Sequence, residues 1–298
     1  MSAESIKFCH DVGVRAWYAE IYSNWALDGC KCWLASRLLW DPSQDADALV
    51  QEYYTNFLGA AAGPMRKYWQ RCEEVWESQG GESHWFKGFF DIGQLDMFPR
   101  EVCIELRGYL REAERLADTD LVRKRVRFYR NGFRYTDLYS QVYWSDKAMK
   151  DATVGSARDV QAVADALLTY TSAEQQLREL YATVIDPDPL MRPVIPFHGR
   201  AKLNYGQGLV SGLSRVAIWA EANDGWAVVD EALAGLADQD SDGARNATRY
   251  LRARRNLIEA RDILPNPGFE ANVADTNAVE GIHWTAEGCP PGWSSWVR

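Results

Sequence analysis

Basic residues are in the minority in this 298-residue sequence, and long apolar runs are lacking. Lys and Arg number 33 against 42 Asp and Glu, which gives a formal net charge of −9. Because affinity for DNA or RNA comes mostly from neutralised phosphates, this balance predicts that the chain binds no nucleic acid. The most basic stretch, residues 100–134, interleaves its cations with six carboxylates, which predicts solvated helix faces carrying ion pairs. No apolar run reaches the roughly 20 residues that cross a bilayer, so we expect no membrane span.

Cysteine and histidine are scarce as well. The six cysteines are scattered, which predicts free thiols; Cys30 and Cys32 lie two apart on a predicted helix and do not face each other there. The four histidines are far apart and show no ligand spacing, so we expect no metal site. Residues 238–243 imitate the start of a calcium loop, but Arg249 stands where that loop needs a Glu. No glycine-rich phosphate loop is present, and we expect no cofactor.

Aromatic residues are abundant by contrast, with 13 Trp, 14 Tyr and 10 Phe. This enrichment has two interpretations, namely a large aromatic core or flat surfaces that stack on sugars or bases. Most aromatic residues between 33 and 260 recur at helical spacing, which favours the core. We expect Trp33 and Trp40 to belong to it.

The residue pattern predicts one β/α step followed by helices. Apolar, β-branched and aromatic residues predict a strand over residues 14–21, and a lone strand requires ladder partners from elsewhere. The spacing of apolar residues and the positions of Pro, Gly and capping residues predict helices after it. The predicted helices cover residues 2–11, 24–40, 45–58, 64–79, 99–117, 120–150 (weakened at Gly132), 156–184, 205–223, 225–237 and 240–262.

The composition changes at Ile263, where helical periodicity stops and Pro, Gly and Trp become frequent. The remaining 35 or so residues are too few for an independent sheet, so they predict the start of an incomplete β-module.

Several phrases in the first 70 residues recur in a known bacterial family. They are Gly13-Val14 with Glu20, Leu38-Leu39-Trp40-Asp41-Pro42, Asp45 to Tyr54 with Leu49 and Glu52, Gly59-Ala60-Ala61, Met65 and Tyr68. In this order they resemble the C-terminal part of the domain-of-unknown-function family numbered 4838, which overlaps glycoside hydrolase family 163. The chain departs from the family pattern at Phe57-Leu58, where two aromatic residues are commoner. The helical stretch up to about residue 145 is also similar.

This resemblance implies a mainly α fold with three parts. Residues 1–40 would be the last step of a truncated glycoside-hydrolase-like (β/α) barrel, residues 41–262 a helical domain that buttresses it, and residues 263–298 the start of a β-sandwich. The last part is similar to the opening of carbohydrate-binding modules, through Pro265 to Glu270 and Pro290 to Trp293. The parent protein would then be an exported, secreted or periplasmic hydrolase of β-N-acetylglucosaminidase type that acts on glycans, and the isolated chain would be inactive.

Glu20 is the candidate catalytic residue. It ends the predicted strand, and the active site of a β/α barrel lies at the C-terminal ends of its strands. Glycoside hydrolysis commonly needs two carboxylates. The second would come from other strands, or a substrate acetamido group would replace it. Tyr18, Asn24 and Trp25 are the candidate substrate-binding residues, because they flank this strand end. In the alternative interpretation, Glu20 is a charge at a helix N-terminus or an acceptor for a sugar hydroxyl.

A second hypothesis belongs to another class of protein. In it the chain is a non-catalytic helical scaffold or interaction module linked to a carbohydrate-binding domain. Strands ending in Asp or Glu upstream of this sequence would favour the hydrolase.

Overall fold

The structure, a computed structural model, describes residues 3–18, 25–79, 92–192, 207–239 and 241–257. These residues are mainly helical and contain no strand, which confirms the mainly α class. The chain divides into two compact units, residues 1–247 and residues 248–298. Residues 248–257 are the described part of the second unit.

Ten α-helices lie within the described residues. They are α1 Ala3–Asp11, α2 Trp25–Trp40, α3 Ala46–Leu58, α4 Ala62–Glu77, α5 Arg100–Leu116, α6 Asp120–Asp151, α7 Ala157–Leu180, α8 Gln207–Asn223, α9 Trp226–Ala232 and α10 Asp242–Leu257. Short 3₁₀ turns cover Gly59–Ala61, Ile92–Met97 and Ala234–Leu236, and a π-helical turn, Tyr181–Ile185, continues α7. Each helix matches a predicted range to within about three residues at its start. At the C-terminal end α7 and α9 stop short of their predicted ranges, since short turns continue both of them. The last predicted residues of α10, 258–262, lie outside the described residues.

Side-chain caps fix where three of these helices begin. Asp45 accepts a hydrogen bond from the Ala48 N–H at 2.8 Å at the start of α3. Thr119 and Ser156 do the same for α6 and α7. Each cap satisfies an N–H group that has no partner within its helix, so the sequence itself sets these boundaries.

The long helix α6 is the centre of the first unit. It packs against α2, α3, α5, α7 and α8. Apolar residues three and four apart on α3 to α6 form one side of the core; Leu58, Met65, Leu106 and Val126 are all fully buried.

Gly132 lies in the middle of α6, where the sequence predicts a weak point. The helix is continuous there. A Cβ at Gly132 would lie 2.5 Å from the Cβ of Ala26 on α2, closer than carbon atoms approach without repulsion. The missing side chain therefore lets α2 cross α6 at short distance.

The predicted strand over residues 14–21 is not formed in its described part. Val14–Tyr18 adopt no regular secondary structure. A strand is stable only when a neighbour pairs with its backbone, and no strand lies among the described residues to provide that pairing.

Gly108→Ala is expected to raise the free energy of unfolding by about 0.5–1 kcal/mol. Gly108 lies inside α5, and a Cβ there would meet nothing within 4 Å. Alanine therefore gains helix propensity without a clash. Urea unfolding of the chain, followed by circular dichroism at 222 nm, measures the change; a loss of stability would contradict the open surroundings of Gly108.

Candidate functional site

The candidate site is an open cleft of about 370 Å³ at the N-terminal end of the first unit. It lies between α1, the irregular segment after it and the C-terminal end of α2. We call it the N-terminal cleft. Its lining residues are Ile6, Cys9, His10, Val14, Arg15, Ala16, Trp17, Leu39, Trp40 and Pro42. This volume is within the range of small-ligand sites.

The end of α1 shapes one wall of the cleft. Gly13 has φ +95°, a conformation that suits glycine and ends the helix. The Val14 N–H then donates to the Cys9 carbonyl at 2.9 Å. Arg15 Nη1 donates to the carbonyls of His10 at 2.8 Å and Val14 at 3.2 Å. Arg15 therefore holds the turn through carbonyls at the end of α1.

Exposed aromatic side chains surround the cleft. Trp40 is 90% exposed and Trp17 is 39% exposed. The prediction that Trp40 belongs to the core is wrong. Its helix places Leu38 inward, fully buried, and a residue two positions further on points about 200° away around the axis.

The predicted site residues are divided between described and undescribed parts of the chain. Tyr18 is 85% exposed and Trp25 is 38% exposed, so both rings are accessible. Glu20 and Asn24 lie outside the described residues. The structure therefore does not bring the four predicted residues together or separate them.

Trp33 is partly buried and packs against the core, as predicted. Its ring centroid is 5.4 Å from that of Tyr53. The Arg37 guanidinium carbon is 5.2 Å from the Trp33 ring centroid, a cation–π contact.

Charges of both signs lie at the rim of the N-terminal cleft. His10 Nδ1 is 3.6 Å from Asp11 Oδ1. The Ser43 hydroxyl and backbone N–H donate to Asp41 at 2.6 and 3.0 Å, and these bonds lower the pKa of the Asp41 carboxyl. Charges of both signs therefore lie close to the cleft.

The cysteines within the described residues are free thiols, as predicted. Burial raises the pKa of Cys30 and Cys72 to about 11 and that of Cys103 to about 12. The thiolate is the nucleophilic and metal-binding form. These three thiols are therefore protonated at neutral pH and act as apolar packing groups.

Of residues 238–243, which imitate a calcium loop, Asp242 and Gly243 begin α10. Asp242 lies in the first turn of α10 and accepts from Arg178 and Arg245. The buried Glu174 accepts from the Gly243 N–H at 3.0 Å. Across the described ranges, no three His, Cys, Asp or Glu side chains are grouped so that they could hold a metal ion.

The N-terminal cleft was not predicted from the sequence. Its signal was present in the Leu38-Leu39-Trp40-Asp41-Pro42 phrase, where Pro42 follows the helix end and leaves Trp40 at the last turn of α2. Trp40 in this last turn is exposed unless another element of the protein packs against it.

Comparison with known proteins finds one family. The model of the family described as Domain of unknown function (DUF4838) matches residues 1–70. No curated protein and no solved structure matches the chain. None of the helices in the described ranges is both long and apolar enough to cross a membrane. The chain is therefore a mainly helical protein whose first 70 residues, including the N-terminal cleft, are similar to DUF4838.

Proposed function

We propose that this chain belongs to a glycoside hydrolase-like protein that acts on glycans, of β-N-acetylglucosaminidase type. Residues 1–40 contribute a β/α step to its barrel, and residues 41–262 form the helical body that buttresses the barrel. A carbohydrate-binding module begins at residue 263. Family similarity over residues 1–70 and an exposed apolar face in the same region support this proposal.

The exposed apolar face is the observation that carries the proposal. Fourteen large apolar side chains are exposed among the described residues, and eight of them lie between residues 8 and 40. They are Phe8, Val12, Val14, Trp17, Tyr18, Trp25, Leu39 and Trp40. Four of the eight, Val14, Trp17, Leu39 and Trp40, line the N-terminal cleft together, and such a cluster marks a surface that another element covers. We call this surface the apolar face.

The irregular segment Val14–Tyr18 supports the same assignment. Its residues have the composition of a strand, but no strand lies beside it in the described ranges. A barrel strand placed against it would pair with its backbone, and Val14 and Tyr18 would then share one face of the sheet while Trp17 packs on the other. This arrangement would bring Glu20 to the end of a paired strand, where barrel enzymes hold their catalytic groups.

In this proposal Glu20 is the general acid or base at the scissile glycosidic bond. A second carboxylate from another strand, or the acetamido group of the substrate, completes the reaction. Tyr18, Asn24 and Trp25 contact the sugar. An indole or phenol ring presents a flat apolar surface to the C–H face of a pyranose, and the Asn24 amide donates to and accepts from hydroxyls.

The proposal is tested on the protein produced from the complete gene. We expect it to release p-nitrophenol from p-nitrophenyl N-acetyl-β-glucosaminide and to shorten complex glycans, as detected by mass spectrometry. The 298-residue chain alone should do neither. Binding of glycans by the complete protein without any hydrolysis would support the scaffold hypothesis instead.

Trp40→Ser tests whether the apolar face is covered in the complete protein. Because Trp40 is 90% exposed here, the substitution should change the unfolding free energy of the 298-residue chain by less than about 0.5 kcal/mol. In the complete protein it should cost about 2 kcal/mol or more, since buried Trp side chains dominate interfaces.

The matched control is Trp76→Ser, which removes a Trp that is 65% exposed on α4, away from the apolar face. It should have a small effect in both proteins. Equal effects of Trp40→Ser on the chain and on the complete protein would show that the apolar face stays open.

A further inference from the structure

Helices α5 and α6 carry arginines along one side of the seam between them. Two ion pairs cross this seam: Arg107 Nη1 lies 3.0 Å from Asp137 Oδ2, and Arg130 donates to Glu114. Seven residues separate Arg107 from Glu114 on α5, and seven separate Arg130 from Asp137 on α6. The helices therefore run antiparallel in a single register, with about two turns between the ion pairs.

Arg111 and Arg134 fall between these two pairs. Each lies four residues beyond a paired arginine on its own helix, so each shares that arginine's side of the helix. Both are exposed, and neither has a carboxylate within ion-pair distance in the part of the chain that the structure describes. Arg127, seven residues before Arg134, is also exposed, and no carboxylate among the described residues lies within ion-pair distance of it.

These five residues form what we call the arginine seam: Arg107, Arg111, Arg127, Arg130 and Arg134. Two carboxylates, Asp137 and Glu114, neutralise two of the five guanidinium groups. One ion pair lies on each side of Arg111 and Arg134, and together the two pairs hold α5 against α6 there. Three positive charges therefore remain on a short ridge of a chain whose net charge is −9.

All five cations are arginines, which bears on the ligand. A guanidinium group presents a planar fork of N–H donors that pairs with carboxylate and sulfate oxygens through two parallel hydrogen bonds. From Arg127 to Arg134 the seam extends for about 10 Å along α6. This length suits several anionic groups on one extended chain better than a single small anion.

We propose that the arginine seam binds an acidic glycan, a sugar chain that carries carboxylate or sulfate ester groups. Arg111 and Arg134 make the central contacts, and Arg127 extends them. The choice of a glycan over an acidic polypeptide or a nucleic acid rests on the proposed function; the position of the site rests on the geometry of α5 and α6 alone.

The test uses the full chain at low ionic strength and two acidic probes, a sulfated heparin hexasaccharide and a galacturonate hexasaccharide, with neutral chitohexaose for comparison. We expect at least one acidic probe to bind, with affinity that falls as salt is added. The double variant Arg111→Gln/Arg134→Gln should weaken that binding by about tenfold or more, because it removes two charge-assisted contacts.

The matched control is Lys67→Gln/Arg158→Gln, which changes the net charge by the same amount at exposed positions. Lys67 lies on α4 and Arg158 on α7, so neither belongs to the two helices that carry the seam. Binding should change less than about twofold in this variant. Melting temperatures of both double variants should stay close to that of the wild type, since all four side chains are on the surface.

Equal losses in the two double variants would overturn the proposal, because binding would then follow net charge alone. Absence of binding to both acidic probes would overturn it, and so would tighter binding of a Glu-rich peptide or of single-stranded DNA. If the complete protein lacks hydrolase activity while the seam still binds acidic glycans, the proposed hydrolysis fails and the seam stands. If the complete protein hydrolyses glycans but the seam binds no acidic glycan, the seam alone is rejected.

Discussion

Gly208→Ala is expected to lower the free energy of unfolding by about 3 kcal/mol, at the upper end of the range for overpacked cores. Gly208 lies in the first turn of α8, against α6. A Cβ there would overlap the carbonyl oxygen of Asp146 and lie 2.6 Å from its carbonyl carbon. Backbone atoms of a packed helix have no rotamer to change, so α8 itself would have to move away.

That movement would also break a buried hydrogen bond. Asp146 is 9% exposed, and its carboxylate accepts from the Leu209 N–H at 3.1 Å. This bond holds the start of α8, and separation of the helices would leave the carboxylate without this donor. For a domain of this size the expected loss corresponds to a fall in melting temperature of about 6–12 °C.

Gly108→Ala is the matched control, because it makes the same chemical change inside a helix where the surroundings are open. The two variants should shift the melting temperature in opposite directions. If Gly208→Ala melts at or above the wild-type temperature, α8 does not pack against Asp146 as described here.

Local patterns were sufficient to predict most of the helices. Asp45, Thr119 and Ser156 are strong capping residues, and each stands one residue before a helix. The periodic apolar residues behind them find partners on neighbouring helices, so local preference and packing agree. Gly132 shows the limit of this reasoning. An isolated glycine lowers helix propensity, but here the short approach of α2 requires it.

The candidate site was harder to predict because it depends on what covers each residue. Trp40 has the side chain of a core residue and a helical position that faces outward. Its burial in the complete protein would come from a separate element, which no periodicity within α2 indicates. Val14–Tyr18 are similar, since a strand is defined by its neighbour.

The arginine seam also required three-dimensional information. The sequence predicted ion pairs across residues 100–134, and four arginines there do have carboxylate partners, in the pairs Arg107–Asp137, Arg115–Glu112, Arg123–Asp120 and Arg130–Glu114. Arg111 and Arg134 have no such partner among the described residues, and the antiparallel register of α5 and α6 places them at the same height along the two helices. That register follows from the ion pairs between the helices and cannot be read from the sequence.

The role of Glu20 has the largest expected effect on function. In the proposed hydrolase, Glu20→Gln keeps the size of the side chain but removes its ability to give or take a proton. Loss of a general acid or base typically costs 10²–10⁴-fold in rate, so we expect kcat/KM of the complete protein to fall by about 10³-fold. KM for the sugar should change much less, because Tyr18, Asn24 and Trp25 still contact the substrate.

Glu4→Gln provides the control. Glu4 is an exposed carboxylate in the first turn of α1, within the same DUF4838-like region. Its loss should change kcat/KM by less than about twofold, since it is not part of the proposed machinery. Circular dichroism should show that both variants are folded.

The most direct measurement is therefore the rate at which the complete protein and its Glu20→Gln variant hydrolyse p-nitrophenyl N-acetyl-β-glucosaminide or a complex glycan. We predict measurable hydrolysis by the wild type and a loss of about 10³-fold in the variant. A Glu20→Gln protein that retains the wild-type rate would contradict the catalytic role of Glu20, and a wild type without hydrolysis would contradict the proposed enzyme.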